Sequence, residues 1–132
     1  SLMARLDRLG AGKDVAQAAS VIGRRFSQNL LAELLPLGQD ELHDALGALC
    51  DVSVLRRASR DEREEYVFHH ALLRDAAYLS LLHSRRRELH RRVAEAMTRL
   101  HPGLATNQPE MLALHFSQGA EPFQAARPPP VA

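Results

Sequence analysis

Cysteine, lysine and tryptophan are almost missing from the sequence, and the shortage of cysteine excludes two kinds of stabilisation. Cys50 is the single cysteine, and tryptophan does not occur. One cysteine cannot form an internal disulfide bond or supply a Cys-x-x-Cys zinc site. Lys13 is the single lysine, so nearly all of the 17 basic side chains are arginines. The low cysteine content is typical of a cytoplasmic protein.

The sequence also lacks a long apolar run and a strong net charge. No stretch approaches the ~20 apolar residues that a membrane-spanning helix needs, and residues 1–5 contain no hydrophobic signal region. The 17 basic and 16 acidic residues leave a net charge of +1, so we expect no strong general attraction to DNA or membranes. The 132 residues suffice for one domain or two small subdomains. Residues 1–10 have the pattern of a helix interior, so we expect a segment of a larger protein.

The first fifty residues have apolar side chains at the spacing of amphipathic helices. The inward positions predicted for four successive helices are Leu2, Leu6 and Leu9; Val15, Ala18, Ala19 and Ile22; Leu30, Leu31, Leu34 and Leu35; and Leu42, Ala45, Leu46 and Leu49. Asp14 and Ser27 are placed to cap the second and third helices, and Gly23 is placed to end the second. Pro36 and Gly38 separate the third helix from the fourth.

After residue 51 the apolar pattern changes from helical to strand-like. Residues 52–58 (VSVLRRA) and 64–70 (EEYVFHH) are rich in the Val, Tyr and Phe typical of short strands. The charged residues 59–64 between them suit the exposed tip of a hairpin. Helices followed by a hairpin have the order of a winged helix-turn-helix. We therefore predict a mainly α fold that contains a winged helix-turn-helix with a short β-hairpin wing.

Helical spacing returns after the predicted hairpin. We predict one helix over residues 71–82, a second that Ser84 caps and that runs to about Leu100, and a third with Pro109 in its first turn. The apolar stripes are Leu72, Ala76 and Leu79 beside Leu73, Ala77 and Leu81 in the first helix, and Leu89, Val93, Ala96, Met97 and Leu100 in the second. Antiparallel helices of this kind are typical of the start of a TPR-like superhelix. The Pro-rich residues 120–132 are predicted to be disordered.

Residues 10–14 (GAGKD) have a superficial likeness to a phosphate-binding loop. Such a loop needs a glycine five residues before the Gly-Lys pair, where this sequence has Asp7. It also needs Ser or Thr after the lysine to hold magnesium, where this sequence has Asp14. No strand is predicted before it. We therefore exclude this segment as a nucleotide-binding loop.

The adjacent His69 and His70 are the candidate functional side chains. Neighbouring side chains at the end of a strand point to opposite faces, which makes them poor joint ligands for zinc. A catalytic role lacks a nucleophile, because Cys50 ends an apolar helix and is typical of a small buried side chain. From the residues alone, a structural role and a binding role for the two histidines both stay open.

A dense run of arginines occupies residues 83–92 (HSRRRELHRR) and favours a solvated helix face. Three pairs stand four residues apart, namely Glu88 with Arg92, Arg91 with Glu95, and Glu95 with Arg99, and such pairs neutralise charge along a helix. Arg85 and Arg86 stand in the first turn, where the helix dipole disfavours cations. Acidic partners or a phosphate would hold them there.

A winged helix raises the possibility of DNA binding, but the predicted reading helix is acidic. Residues 39–50 include Asp40, Glu41 and Asp44 and no Lys or Arg, whereas groove entry needs cations for the phosphates. Acidic residues also alternate with the wing arginines, which are Arg56, Arg57, Arg60 and Arg63. A DNA-binding transcriptional regulator module therefore stays the alternative, with a protein-interaction scaffold as the second.

Four blocks of the sequence together resemble the STAND class of bacterial signalling ATPases. The blocks are SLMARLDRLG, VAQAASVIGRRFS, FHHALLRDAAYLSLLHSRRRELHRRVAEAM and QPEMLALHFSQG, and they cover about residues 2–119. In this class an AAA-type ATPase is followed by a winged helix and TPR-like repeats, and many members carry an adenylate/guanylate cyclase domain while others carry a LuxR-type module. The resemblance includes no phosphate-binding loop, Walker B or cyclase residue.

The resemblance implies a nucleotide-sensing role for the two histidines. In the class, a histidine at the junction between wing and helix reaches the phosphates of bound ADP and holds a closed state. The related pattern MHDLLRD aligns with HHALLRD here, which places the sensor on His70, with His69 as the alternative in a shifted register. Ala71 stands where that pattern has Asp. Arg74 and Asp75 are expected to brace the helix junction and not to contact nucleotide.

Together these observations imply a regulatory segment of a STAND-type ATP-binding protein. We expect residues 1–10 to end an upstream ATPase region, residues 11–70 to form the winged helix, residues 71–119 to form a helical hairpin, and residues 120–132 to form a tail. The chain is expected to contain no catalytic residues and no metal, and ATP or ADP belongs to the parent protein. The expected partners are the upstream ATPase domain and downstream TPR-like repeats or another protein, not nucleic acid or membrane. Whether the parent is an ATPase or also a cyclase stays open.

Overall fold

The computed structural model describes residues 2–59, 63–100, 103 and 109–119. Within these ranges the protein is mainly helical, as predicted, and has one small antiparallel sheet of three strands. The chain divides into two compact units, Ser1–Leu81 and Leu82–Ala132. The sequence-based boundary falls after residue 70, whereas the helix that follows residue 70 packs within the first unit.

Five helices and three strands form the described part of the first unit. The helices are α1 (Leu2–Asp7), α2 (Ala11–Ile22), α3 (Gln28–Leu34), α4 (Gln39–Asp51) and α5 (Ala71–Leu79). The strands are β1 (Arg25–Ser27), β2 (Leu55–Arg57) and β3 (Glu65–Phe68). β3 lies in the middle of the sheet and pairs antiparallel with both neighbours, with Tyr66 opposite Phe26 on one side and opposite Arg57 on the other.

An aromatic cluster on the sheet and the apolar faces of the helices form the core of this unit. The Phe26 ring stacks on Tyr66 with centroids 6.1 Å apart, and its centroid lies 5.9 Å from that of Phe68. Most of the predicted inward positions are buried, namely Leu6, Val15, Ala18, Ala19, Leu30, Leu31, Leu34, Leu35, Leu42, Ala45, Leu46 and Leu49. Each fully buried Leu or Val contributes about 1.5–3 kcal/mol relative to an exposed one.

The predicted ends of the early helices are confirmed at two positions and wrong at one. Gly23 ends α2, and Ser27 caps α3 by accepting a hydrogen bond from the Leu30 N–H at 3.2 Å. Asp14 does not cap α2, because that helix begins earlier, after Gly10. Gly10 has φ 58°, a left-handed conformation that starts the helix without a side-chain cap. Asp14 lies inside the first turn, where a carboxylate suits the helix dipole.

The predicted first strand of the hairpin is wrong at its beginning. α4 extends to Asp51, and the Val54 N–H donates to the Leu49 carbonyl at 3.0 Å, which closes the helix end. Ser53 makes this turn with φ 62°. The strand therefore starts at Leu55, after the turn. Residues 60–62 of the predicted hairpin tip, including Arg60, lie outside the described residues.

Of the two apolar stripes predicted for α5, the one that contains Leu72 and Leu79 faces solvent, and the one that contains Ala77 and Leu81 packs inward. Leu72 and Leu79 are 78% and 71% exposed, while Ala77 and Leu81 are buried. Two hydrogen bonds to α2 set this orientation of the helix. Arg74 Nε donates to the Ser20 carbonyl at 2.7 Å, and Gln17 Nε2 donates to Ser80 Oγ at 2.9 Å.

The described part of the second unit consists of α6 (His83–Leu100) and α7 (Pro109–Gln118), which pack against each other. Pro109 opens α7, as predicted. The predicted stripe of α6 is buried at Leu89, Val93, Ala96 and Met97, while Leu100 is partly exposed. In α7 the buried side chains are Leu112 and His115, and Leu114 and Phe116 are about half exposed at 55% and 48%. The predictions for residues 101, 102 and 120–132 lie outside the described residues.

Two arginines of the run in α6 form ion pairs with an acidic side chain of the same helix. Glu88 accepts from Arg92 at 2.7 Å, one of the three predicted pairs, and from Arg85 at 3.3 Å. One acidic side chain therefore serves a cation of the first turn as well as one further along the helix. In the part of the chain that the structure describes, no helix combines the length and apolarity that crossing a membrane requires.

Candidate functional site

The two candidate histidines lie where β3 ends and α5 begins. Phe68, the last residue of β3, is buried, and both His69 and His70 are exposed. The His69 N–H donates to the Val54 carbonyl at 3.0 Å, which holds the chain beside β2. His70 is the residue before α5, and its carbonyl accepts from the Leu73 N–H at 3.0 Å. We call this segment, from His69 to the first turn of α5, the junction.

The rings of His69 and His70 lie side by side, contrary to the expectation that they point to opposite faces. Their centroids are 5.4 Å apart and the ring planes are inclined by 49°. The strict alternation of a strand ends at Phe68, because the chain bends at the two histidines before it enters the helix. Both imidazoles are therefore presented together on the surface of the first unit.

Arg24 adds a guanidinium next to the junction. Its carbonyl accepts from the Phe68 N–H at 2.8 Å, and its side-chain Nε donates to the Phe68 carbonyl at 3.4 Å. These bonds extend the β1–β3 pairing by one residue and place an exposed cation beside the peptide that precedes His69. Sequence reasoning missed Arg24, because β1 has only three residues and its partner strand lies some forty residues away in the chain.

Arg74 braces the helix behind the junction, as expected. Besides its bond to the Ser20 carbonyl, it pairs through Nη1 with Asp75 at 3.2 Å. Its guanidinium carbon lies 4.5 Å from the centroid of the Tyr78 ring, a cation–π contact. Arg74 therefore links α5 to α2.

The chemistry of the junction suits an anion. Imidazole N–H groups and a guanidinium donate hydrogen bonds to phosphate oxygens, and the bonds strengthen when the donor is charged. The adjoining N-terminus of α5 adds a favourable dipole, because the first N–H groups of a helix have no partner within the helix. Within the described ranges, no group of three or more His, Cys, Asp or Glu side chains is arranged to hold a metal ion.

Lys13, the lysine of the rejected phosphate-loop motif, pairs with a carboxylate. Its ammonium lies 2.8 Å from an oxygen of Asp7, and both side chains are exposed. The hydrogen bond and the charge of Asp7 raise the pKa of Lys13 above its ordinary value. The motif spans the beginning of α2 and follows α1, so no strand leads into it.

The surface that would face DNA in a winged helix is acidic in its helix and basic in its hairpin. Asp40, Glu41 and Asp44 are exposed on α4. Arg56, Arg57 and Arg63 are exposed on and next to the strands, and Arg25 of β1 pairs with Glu65 at 3.0 Å. α4 therefore offers carboxylates, whereas contacts to DNA phosphates need cations.

Cys50 and Tyr66 are held in their neutral forms. Burial raises the pKa of the Cys50 thiol, and the charge of nearby Arg57 opposes this only in part. Burial likewise raises the pKa of Tyr66, helped by the charge of Glu64. A thiol with a raised pKa is a weak nucleophile at neutral pH. Cys50 is only partly buried, whereas the sequence predicts a buried side chain.

Comparison with known proteins adds one relative. The chain is 37% identical over 97 residues to an uncharacterized protein of Rhizobium meliloti (strain 1021), a match that covers 73% of this chain. The matched segment makes up 9% of that protein, so the chain spans less than a tenth of its relative's length. No protein-family model matches the chain. No solved structure matches it either.

Proposed function

We propose that this chain is a regulatory winged-helix and helical-repeat segment of a STAND-type ATP-binding signalling protein, either an AAA ATPase or an adenylate/guanylate cyclase-like protein. In this proposal the segment couples the nucleotide state of a neighbouring ATPase domain to conformation. The observation that carries the proposal is the junction, where His69 and His70 stand exposed together between a small sheet and a helix. His70 is the phosphate sensor, with His69 as the alternative.

The order of elements in the first unit supports a winged helix. α2, β1, α3, α4, β2 and β3 follow one another, and the three strands form one antiparallel sheet with β3 in its centre. A winged helix-turn-helix has a helical core followed by a β-hairpin wing, and here β2 and β3 form the hairpin. α4 is then the helix that precedes the wing.

The surroundings of His70 support contact with a diphosphate. The His70 imidazole and the first N–H groups of α5 are donors at the junction, and the exposed Arg24 is held next to it by its bond to the Phe68 carbonyl. A bound phosphate would gain charge-assisted hydrogen bonds and the helix dipole together. In this proposal, the junction binds the nucleotide held by the ATPase domain.

The packing of α5 supports transmission of the nucleotide state. Arg74 joins α5 to Ser20, and Gln17 joins α2 to Ser80 near the other end of α5. A change in the phosphate contact of His70 therefore moves α5 and α2 together. Loss of the phosphate contact removes the differential binding energy that favours the closed arrangement, and the population shifts toward the open one.

The second unit supports a helical-repeat region in the same protein. α6 and α7 pack together, and Leu89, Val93 and Leu112 are buried, while Leu114 and Phe116 of α7 are about half exposed. A repeat buries one face against each neighbour, so an exposed apolar face is expected on a helix pair taken from such an array. A following repeat or a protein partner would cover these side chains.

The alternative functions draw on other surfaces. The acidic α4 argues against DNA binding, although the arginines of the strands would suit the phosphate backbone. A protein-interaction scaffold would use the exposed Leu72 and Leu79 on α5. Neither alternative uses His69 and His70.

Purification of the whole protein that carries this segment tests the proposal. We expect the protein to retain ADP through size-exclusion chromatography, detected by liquid chromatography after denaturation. We also expect no shift of a random DNA duplex at about 150 mM salt, where weak electrostatic contacts are screened. A protein that binds neither ADP nor ATP, with or without magnesium, would contradict the proposal. A salt-sensitive shift of the duplex that needs Arg56 and Arg57 would favour the DNA-binding alternative.

A further inference from the structure

Two histidines meet in the interior of the second unit. Nδ1 of His90 on α6 lies 2.9 Å from Nδ1 of His115 on α7, and the ring centroids are 5.0 Å apart. Each residue is 5% exposed. The two residues are separated by 25 positions in the chain, so the contact depends on the packing of the two helices. We call this the histidine pair.

The geometry of the pair requires that the two nitrogens play different roles. A contact of 2.9 Å between two ring nitrogens is a hydrogen bond only when one Nδ1 carries a proton and the other has a free lone pair. Two neutral imidazoles satisfy this condition with opposite tautomers. One added proton also satisfies it, because the charged ring donates to the neutral ring. A second added proton does not, because two N–H groups would then face each other.

The charged residues one turn from the pair along its helices oppose the second proton. Arg86 and Arg87 stand four and three residues before His90, on the same side of α6. The Arg87 carbonyl also lies next to the end of α7, since a Cβ on Gly119 would lie 3.0 Å from it. The positions one turn from His115 are Met111, Leu112, Gln118 and Gly119, none of which is charged, and the acidic Glu110 of α7 stands five residues before His115. At the positions one turn away, the charged side chains are therefore both arginines of α6.

We propose that the histidine pair is a proton-operated latch that holds α7 on α6 while at most one of the two rings is charged, and that releases α7 when both are charged. Free histidine takes up its proton near pH ~6.5, so a detached α7 exposes two groups that bind protons in mildly acidic solution. Because the detached form binds more protons than the docked form, falling pH favours detachment. Detachment uncovers Leu112, which the docked helix buries.

Hydrogen exchange of the full chain tests the latch. Protection factors, which correct for the intrinsic effect of pH on exchange, are measured for the α7 amides between pH 8 and 4.5. We expect the protection of α7 to fall at least tenfold between pH 7 and pH 5, while the amides of α4 keep theirs within about twofold. A tenfold fall corresponds to ~1.4 kcal/mol in the free energy of opening. Unchanged protection of α7 down to pH 4.5 would overturn the proposal.

Variants separate the latch from general acid sensitivity. His90→Leu with His115→Leu removes both titrating rings and is expected to keep α7 docked at pH 5 with less than a twofold change. His115→Gln retains a polar partner and leaves one titrating ring, so it is expected to lose most of the acid response even where the double variant folds poorly. His83→Gln, at an exposed position of α6, is the matched control and should respond to acid as the unaltered chain does. An acid response of the same size in His115→Gln as in the control would contradict the latch.

Discussion

Arg74 Nε donates to the backbone carbonyl of Ser20 at 2.7 Å, and this bond fixes α5 on the end of α2. The same guanidinium lies over the Tyr78 ring and pairs with Asp75. Together with the bond between Gln17 and Ser80, this side chain therefore determines which face of α5 packs on α2, and so determines how the junction is presented. Its removal is expected to affect stability and the position of α5 together.

Replacement of Arg74 with alanine is expected to lower the free energy of unfolding of the first unit by about 1–3 kcal/mol, because a charged donor to a part-buried carbonyl is lost. Amide exchange in α5 should accelerate more than exchange in α4. Arg74→Lys should recover only part of the loss, since an ammonium cannot stack as a planar guanidinium does. Arg8→Ala, at an exposed position on the turn after α1, is the control and should change stability little. Equal effects of Arg74→Ala and Arg8→Ala would show that the brace contributes nothing.

The turn between α4 and β2 offers a stabilising change. Ser53 adopts φ 62°, a left-handed conformation that favours glycine. Ser53→Gly is therefore expected to raise the free energy of unfolding by about 0.5–1 kcal/mol, and Ser53→Val to lower it by a larger amount. Urea denaturation followed by circular dichroism measures both. Ser59→Gly, in an exposed loop with ordinary φ, should be neutral or destabilising. Destabilisation by Ser53→Gly would mean that the side chain contributes more than its strained backbone costs.

The pH dependence of thiol modification reports the environment of Cys50. Because burial raises the pKa of this thiol, the folded protein should react with a disulfide reagent more slowly than the urea-unfolded protein at pH 8, and its rate should reach half-maximum at a higher pH. The unfolded chain ionises first, so the free energy of unfolding should fall as pH rises above ~8.5. Cys50→Ala should remove this fall in the free energy of unfolding near pH 9. It should also abolish modification by the reagent, since the sequence has one cysteine. Equal rates in the folded and unfolded states would show that the thiol is not shielded.

Local signals allowed much of the first unit to be predicted. Ser27 caps α3 and Gly23 ends α2 because these residue types act on the backbone next to them, whatever packs around them. The inward faces of α2, α3 and α4 followed from helical spacing for the same reason. Asp14 was misplaced as a cap because Gly10 starts α2 through its backbone conformation alone.

Contacts between distant parts of the chain could not be predicted. β1 has only three residues, too few for alternation to identify a strand, so it is defined by its pairing with β3. The face of α5 that packs inward depends on the bond of Arg74 to Ser20 and on the bond of Gln17 to Ser80. It does not follow from the apolar stripe of Leu72 and Leu79. The histidine pair likewise joins residues that show no relation in the sequence. Residues 69 and 70 were identified as candidates, but their side-by-side arrangement depends on the bend after β3.

The rate at which the whole protein releases ADP tests the central claim, that His70 senses the phosphates of a neighbouring ATPase domain. We expect His70→Ala to accelerate the release of a fluorescent ADP analogue about tenfold or more, consistent with loss of one charge-assisted hydrogen bond worth about 1.5–3 kcal/mol. Arg24→Ala should have a smaller effect in the same direction. His43→Ala, at an exposed position on α4, is the matched control and should leave the rate unchanged. Release from His70→Ala and His69→Ala at the rate of the unaltered protein would contradict the sensor role.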